Sequence, residues 1–303
     1  MKAAVCTKYG TPEVLKIKEL PKPLPAEGQI VVKVRAGSVT ASDCIIRGCN
    51  VTGIYKVLMR LAIGFAGPRK SILGMVFAGE VESVGNKVEG FLVGDRVFGF
   101  DRYGFGSDAE YKCIAVDRLV TKMSPSMTYE EAAAITFGGL LALHYLRKSG
   151  LRPGDKILIY GASGAIGTAA VQLAKHMGAE VTGVCGTSNV EVVKALGAGA
   201  VIDYTKTNFN EQGLNYDVVL NAAGKKKVML HPDKALKPNG KHITIDDGSP
   251  SPSISDLVFL RQLMDDGQIK AVIDRTYPLS QIVEAHRYVD KGHKTGNVII
   301  TFE

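Results

Sequence analysis

With 303 residues, 46% of them hydrophobic and 22% charged, the chain can bury one large core or two medium ones. Its formal charge of +7 is spread along the whole sequence, which argues against a nucleic-acid-binding protein; the one tight run, Lys225-Lys226-Lys227, follows an expected strand and reads as a solvated loop or as attraction for a polyanionic cofactor. Five scattered cysteines, with no Cys-x-x-Cys pair, exclude a disulfide framework and fit a reducing cytoplasm.

Residues 1–6 read as a strand and lack the basic and apolar regions of a signal peptide, so the expected location is cytoplasmic. Val-rich runs at 29–34 and 77–84 alternate with Gly and Pro punctuation and predict a compact, partly antiparallel β domain over the first 120 residues. The most membrane-like segment, residues 57–67, is about eleven residues long and carries Arg60, too short and too charged to span a bilayer. It is either a buried helix or an apolar loop beside the active site. Residues 127–149 predict a linking helix.

From residue 156 to 247 strand and helix alternate. Short apolar runs at 157–160, 181–185, 200–203, 217–221 and 242–246 predict strands, and 165–177, 190–196 and 228–236 predict helices. Gly178, Gly197 and Gly240 end segments where a positive φ is wanted. Apolar strands alternating with helices imply a parallel sheet covered on both faces, with ligands beyond the strands' carboxyl ends. After a Pro/Ser stretch at 249–253 come a helix at 256–266, a strand at 271–277, a helix at 279–289 and a strand at 297–302.

The segment Tyr160-Gly161-Ala162-Ser163-Gly164-Ala165-Ile166-Gly167 lies between an expected strand and an expected helix. Gly164 lets backbone approach a pyrophosphate, and Gly167 lets the helix pack closely on the strand. The helix N-terminus offers free N–H groups and partial positive charge to the phosphates. A dinucleotide site follows. An NAD site usually carries an acidic residue at the end of the next strand, whereas here the chain continues Gly186-Thr187-Ser188-Asn189. Hydroxyls there leave room for a 2′-phosphate, Lys194 lies one or two turns further on, and NADPH is the expected cofactor.

The order and spacing of Met1-Lys-Ala-Ala-Val, residues 74–85, Gly94-Asp-Arg-Val-Phe-Gly99, Ala109-Glu-Tyr111, residues 151–156 and the 161–167 turn resemble the medium-chain dehydrogenase/reductase superfamily. Residues 272–279 and Glu284-Ala-His-Arg287 resemble its zinc-independent quinone-reductase branch. The resemblance implies an α/β protein with two domains. A GroES-like β-rich catalytic domain takes residues 1–122 and 271–303, around a doubly wound Rossmann domain at 123–270, with the cofactor in the cleft between them. It implies that Ser163, Gly164, Ala165 and Ile166 hold the pyrophosphate, and that Thr187 and Ser188 face the 2′-phosphate. Tyr204 would stand near the adenosine, Thr136 toward the nicotinamide, Ala222 and Ala223 at the ribose, and Asn297 near the cofactor. Tyr204 and Asn297 serve equally as surface or strand packing.

Zinc-dependent relatives carry a cysteine where Thr40 stands and a histidine where Met75 stands, and neither replacement is a zinc ligand. The six histidines, His144, His176, His231, His242, His286 and His293, show no metal-binding spacing, and His286 and His293 read as surface residues. No metal is expected. Without a Lewis acid, alcohol oxidation is disfavoured, and hydride donation to a small, already electrophilic acceptor, a quinone or activated alkene, remains. Thr40, Ile45, Tyr55 and Tyr103 are the pocket candidates; the two tyrosines are proton donors if they reach the acceptor and packing or surface otherwise. The short passage 247–256 omits a helix and strand common in relatives, so a monomer or a homodimer of unusual geometry is expected. Two alternatives stand: an enoyl-thioester reductase, with Arg60, Arg69 and Lys70 as a basic entrance, and an NADPH-binding protein of structural, sensory or RNA-binding duty.

Overall fold

The computed structural model describes residues 1–207, 215–224 and 232–303. The chain divides into two units, one of residues 1–136 with 273–303 and one of residues 137–272. The lysine run 225–227 and the first part of the expected helix at 228–236, residues 228–231 with His231, lie outside the described residues.

The first unit opens with β1 (Lys2–Cys6) and β2 (Leu15–Glu19), paired antiparallel as a two-stranded sheet. β3 (Gln29–Val39) follows, then α1 (Ala41–Gly48), α2 (Ile54–Ile63), β4 (Val76–Val84), β5 (Arg96–Phe100), β6 (Tyr111–Ala115) and β7 (Val120–Lys122). β3 is rich in β-branched residues and almost wholly buried, as suits a strand with neighbours on both sides. It pairs antiparallel with β4, β6 and residues 298–301 of the last strand, and shifts register with β4 between Val31 and Val32 and between Val34 and Ala36. Such irregularities bend a strand and let it share its edges among several partners. The resulting seven-stranded sheet packs on a core that includes Ile30, Val32, Phe77, Val97, Ile282 and Ile300.

α3 (Tyr129–Ser149) begins in the first unit and continues into the second. Thr128 and Glu131 close a reciprocal cap at its start, and Arg147 and Lys148 stand in its last turn, where a cation complements the helix dipole.

The second unit then carries β8 (Lys156–Tyr160), α4 (Ala165–His176), β9 (Glu180–Cys185), α5 (Val190–Ala195), β10 (Ala200–Asp203), β11 (Tyr216–Asn221), α6 (Pro232–Ala235), β12 (Leu236–Thr244) and α7 (Ile254–Asp265). Its sheet is parallel throughout, in the order β10-β9-β8-β11-β12. The expected strands and helices are thus present, with two differences. The last strand starts at Leu236, where a helix was expected, and the positive φ at its bend belongs to Asn239 and not to Gly240. Among the described residues β12 has a neighbour on one side only.

The chain returns to the first unit with β13 (Ile273–Pro278), α8 (Ile282–Asp290) and β14 (Asn297–Thr301). α8 buries Ile282, Ala285, His286 and Val289 along one face. His286 is therefore no surface residue: it is fully buried, and its Nδ1 accepts from the Arg47 guanidinium at 3.0 Å. Arg47, itself buried, also donates to Asp290 at 2.7 Å. Burial, reinforced by the Arg47 charge, pulls the His286 imidazole down to about 3. All five cysteines are free thiols; Cys6, Cys44, Cys49 and Cys185 are buried and Cys113 is half-buried. No described helix is long and apolar enough to cross a membrane.

Candidate functional site

The glycine turn after β8 brings strand and helix backbones close together. Gly161 adopts φ +76°, and a side chain there would meet Ala223. A Cβ at Gly167 would collide with the Gly161 carbonyl, and one at Gly138 of α3 with the Ala165 carbonyl, so both helices approach the turn at backbone distance. Gly164 is different. It is the N-cap of α4, has no side-chain cap, and a Cβ on it would find only the Gly161 oxygen at 3.5 Å. The start of α4 thus faces open space with its first-turn N–H groups uncapped, an arrangement suited to an anion.

Five further dinucleotide candidates, Thr187, Ser188, Tyr204, Ala222 and Ala223, follow the carboxyl ends of strands in the same sheet. Ala222 and Ala223 follow β11, with the Ala222 N–H bonded to the Tyr160 carbonyl at 2.9 Å. Asn221, the last residue of β11, is almost fully buried; its Oδ1 accepts from Ala223 N–H at 3.1 Å and, among the described residues, its Nδ2 has no partner. An orphaned buried donor at the carboxyl end of a parallel sheet suits a ligand carbonyl or hydroxyl. Sequence reading passed over this residue. Thr187 and Ser188 follow β9 and are exposed. Tyr204 follows β10, its N–H bonded to the Cys185 carbonyl at 3.1 Å, and its ring lies beside Gly186.

An acid does reach this corner, from the neighbouring strand. Asp203, the last residue of β10, stands opposite Cys185, the last of β9, and its carboxylate accepts from Thr187 Oγ1 at 2.6 Å. A carboxylate is therefore present at this corner, supplied by the neighbouring strand. Lys194 is paired with Glu191 at 3.1 Å.

Thr136 and Asn297 belong to the other unit. Thr136 is buried and its hydroxyl bonds the Ala132 carbonyl one turn back at 2.6 Å. Asn297 is buried at the start of β14.

Thr40 follows β3 and Met75 precedes its antiparallel neighbour β4, so both come to one end of the sheet, and both are buried. Thr40 is the N-cap of α1. Its Oγ1 donates to Asp43 Oδ2 at 2.6 Å, its N–H to the same oxygen at 2.8 Å, and Asp43 N–H donates back to Oγ1 at 3.2 Å. Burial raises Asp43 to about 6, and Oδ1 of this carboxyl has no partner. Asp108, also buried, is pushed up well above the carboxylate range by burial and then by the Asp43 charge. A Cβ at Gly74, φ +79°, would clash with Asp108, so this glycine is obligatory. Among the described residues no group of three or more His, Cys, Asp and Glu side chains could hold a metal ion.

Ile45 on α1, Tyr55 on α2 and Tyr103 after β5 are exposed, the two tyrosines at 71% each. Residues 57–67 are no buried helix: α2 forms there, and none of its residues is buried. Two cations that follow the segment are engaged locally. Arg69 donates to the Leu61 and Ala62 carbonyls at the end of α2, and Lys70 to Tyr103 and Gly104.

Residues 26–125 match the alcohol dehydrogenase GroES-like domain family, and residues 165–269 the zinc-binding dehydrogenase family. The chloroplast envelope quinone oxidoreductase homolog of Arabidopsis thaliana is 33% identical over 93% of this chain and 92% of its own length. The NADPH-dependent alkenal/one oxidoreductase, chloroplastic, of the same plant is 28% identical over 99% of this chain and 79% of its own. The quinone oxidoreductase structure from Coxiella burnetii superposes with a TM-score of 0.88, at 27% identity, over 100% of this chain and 99% of the other. The chain belongs to the medium-chain dehydrogenase/reductase superfamily, as an enzyme of the quinone oxidoreductase type.

Proposed function

We propose that this chain reduces electrophilic small molecules, quinones or activated alkenes, with NADPH and without zinc. The observation that carries the reading is the start of α4, uncapped and open in front of Gly164, beside the orphaned Asn221 Nδ2. Ser163 to Ile166 would bind the pyrophosphate through backbone N–H groups, Asn221 with Ala222 and Ala223 the adjoining ribose, and Tyr204 the adenine side. Thr187 and Ser188 leave room for a 2′-phosphate. When bound, the dinucleotide supplies a hydride.

Zinc independence is supported by residue type. A hydroxyl and a thioether stand at Thr40 and Met75, and the buried acids nearby, Asp43 and Asp108, are pushed toward their neutral forms. With no Lewis acid to activate an alcohol, an acceptor that is already electrophilic is the substrate the site suits. Thr40 gives its one hydroxyl hydrogen to Asp43 and so has none to donate to a substrate oxygen; Ile45 supplies apolar surface, and solvent supplies the proton. The enoyl-thioester alternative takes second place, because Arg69 and Lys70 are bonded to backbone carbonyls. The one-sided edge of β12 supports a monomer or a dimer of unusual geometry.

The test is NADPH oxidation by chelator-treated protein with an ortho-quinone acceptor. Turnover that survives chelation is expected. Binding of NADPH without acceptor-dependent oxidation would defeat quinone reduction and favour the structural, sensory or RNA-binding role.

A further inference from the structure

At the corner where β9 and β10 end, one carboxylate organises two threonine hydroxyls. Asp203 Oδ2 accepts from Thr187 Oγ1 at 2.6 Å, and its Oδ1 accepts from Thr205 Oγ1 at 2.7 Å and from Thr205 N–H at 3.0 Å. The two threonine oxygens lie 2.8 Å apart. A hydroxyl has one hydrogen. With both hydrogens directed at Asp203, the threonines turn lone pairs outward. Lone pairs suit a ribose 2′-hydroxyl, which can donate; a 2′-phosphate needs donors and positive charge.

The positive charge at this corner is largely balanced. Lys194 is 3.1 Å from Glu191, and Lys206 is 3.8 Å from Asp203 itself. The hydroxyl of Thr187 and then that of Thr205 hold the Asp203 carboxyl below its usual range, so it is a full negative charge at neutral pH. Among the described residues the corner offers a 2′-phosphate the Ser188 hydroxyl and backbone N–H groups, against one fixed anion.

We infer that Asp203 is the coenzyme-selecting residue: acting through Thr187, it favours a free 2′-hydroxyl and offsets the room left for a 2′-phosphate, so that this chain accepts NADH alongside NADPH. The inference rests on the nucleotide site proposed above and deepens it. Asp203 supplies from the third strand of the parallel sheet the acid that dinucleotide sites usually carry at the end of the second.

The test is calorimetric titration of the full chain, wild type and Asp203→Asn, with NADPH, NADH, 2′,5′-ADP and 5′-AMP, which reads binding without turnover. The wild type should bind NADPH and NADH within about tenfold of each other. Removing one unit charge at this range should tighten NADPH and 2′,5′-ADP by about tenfold and leave NADH and 5′-AMP within about threefold. Asp203→Ser, which also removes the charge but keeps a small polar side chain, should do the same, and thermal unfolding confirms that both variants are folded. Binding with an unchanged NADPH-to-NADH ratio in both variants overturns the assignment alone. A wild type that binds neither coenzyme overturns the nucleotide site as well.

Discussion

Two helices in this molecule start directly after a strand-end turn, and they start in opposite ways. In α1, Thr40 and Asp43 close a reciprocal cap inside the first unit, so the helix's free N–H groups are spent on its own side chains. In α4, Gly164 offers no side chain, and the space in front of it is open. One start is sealed and contributes to stability. The other forgoes that stabilisation and keeps its N–H groups for a ligand.

The contrast can be tested by sealing the open start and opening the sealed one. The largest effect is expected at Gly167→Val, whose side chain would enter the Gly161 carbonyl and the Ala162 backbone. A loss of about 3 kcal/mol in urea unfolding should follow, the upper end for an overpacked site. Asp43 comes next, through pH. Its folded value, about 6, lies above the ordinary 3.8, so the stability it contributes is fully present below about 3.8 and is lost as pH rises through about 6. Asp43→Asn removes that dependence. The variant's stability relative to wild type should therefore rise by up to about 3 kcal/mol between pH 4 and 7, read from denaturant midpoints. A difference that stays flat across this window would show that Asp43 is not buried as described.

Gly164→Asp sharpens the comparison most directly. The backbone at Gly164, φ −77° and ψ 177°, accepts any residue, so the variant should fold and gain about 0.5–1 kcal/mol from its new cap. Its NADPH affinity should fall about tenfold or more, because a carboxylate then occupies the anion's place. Unchanged affinity would mean that α4 is not the phosphate-binding helix. The smallest effect belongs to Thr40→Ala, which opens α1 at a cost of about 1 kcal/mol in thermal or chemical unfolding.

The second unit was the more legible of the two. Residues 200–203 could be read as a strand because four residues between a glycine and a polar run leave little else for them to be, and the 161–167 turn because its glycines lie between strand and helix. What escaped was contact across the sheet. Thr187 and Asp203 meet only because β9 and β10 pair in a particular register, which local composition does not reveal. The burial of Asn221 depends likewise on its neighbours in the sheet. His286 is a different kind of miss. Ile282, Ala285, His286 and Val289 fall at helical spacing, so the apolar stripe that buries the imidazole was already written in the sequence. Asp108 left no such trace: Ser107-Asp108-Ala109 carries no periodicity that distinguishes a buried carboxyl from a surface one.

The placement of the cysteines also has a practical consequence. Four of the five thiols are buried, and burial pushes Cys6 and Cys185 up to about 11 and Cys44 higher still. Burial raises the Cys113 thiol as well, but it alone of the five is half-buried, so access directs an alkylating reagent to it in the folded state. A fluorophore or spin label can thus be attached at a single site of the unaltered sequence, on β6, without first removing the other cysteines.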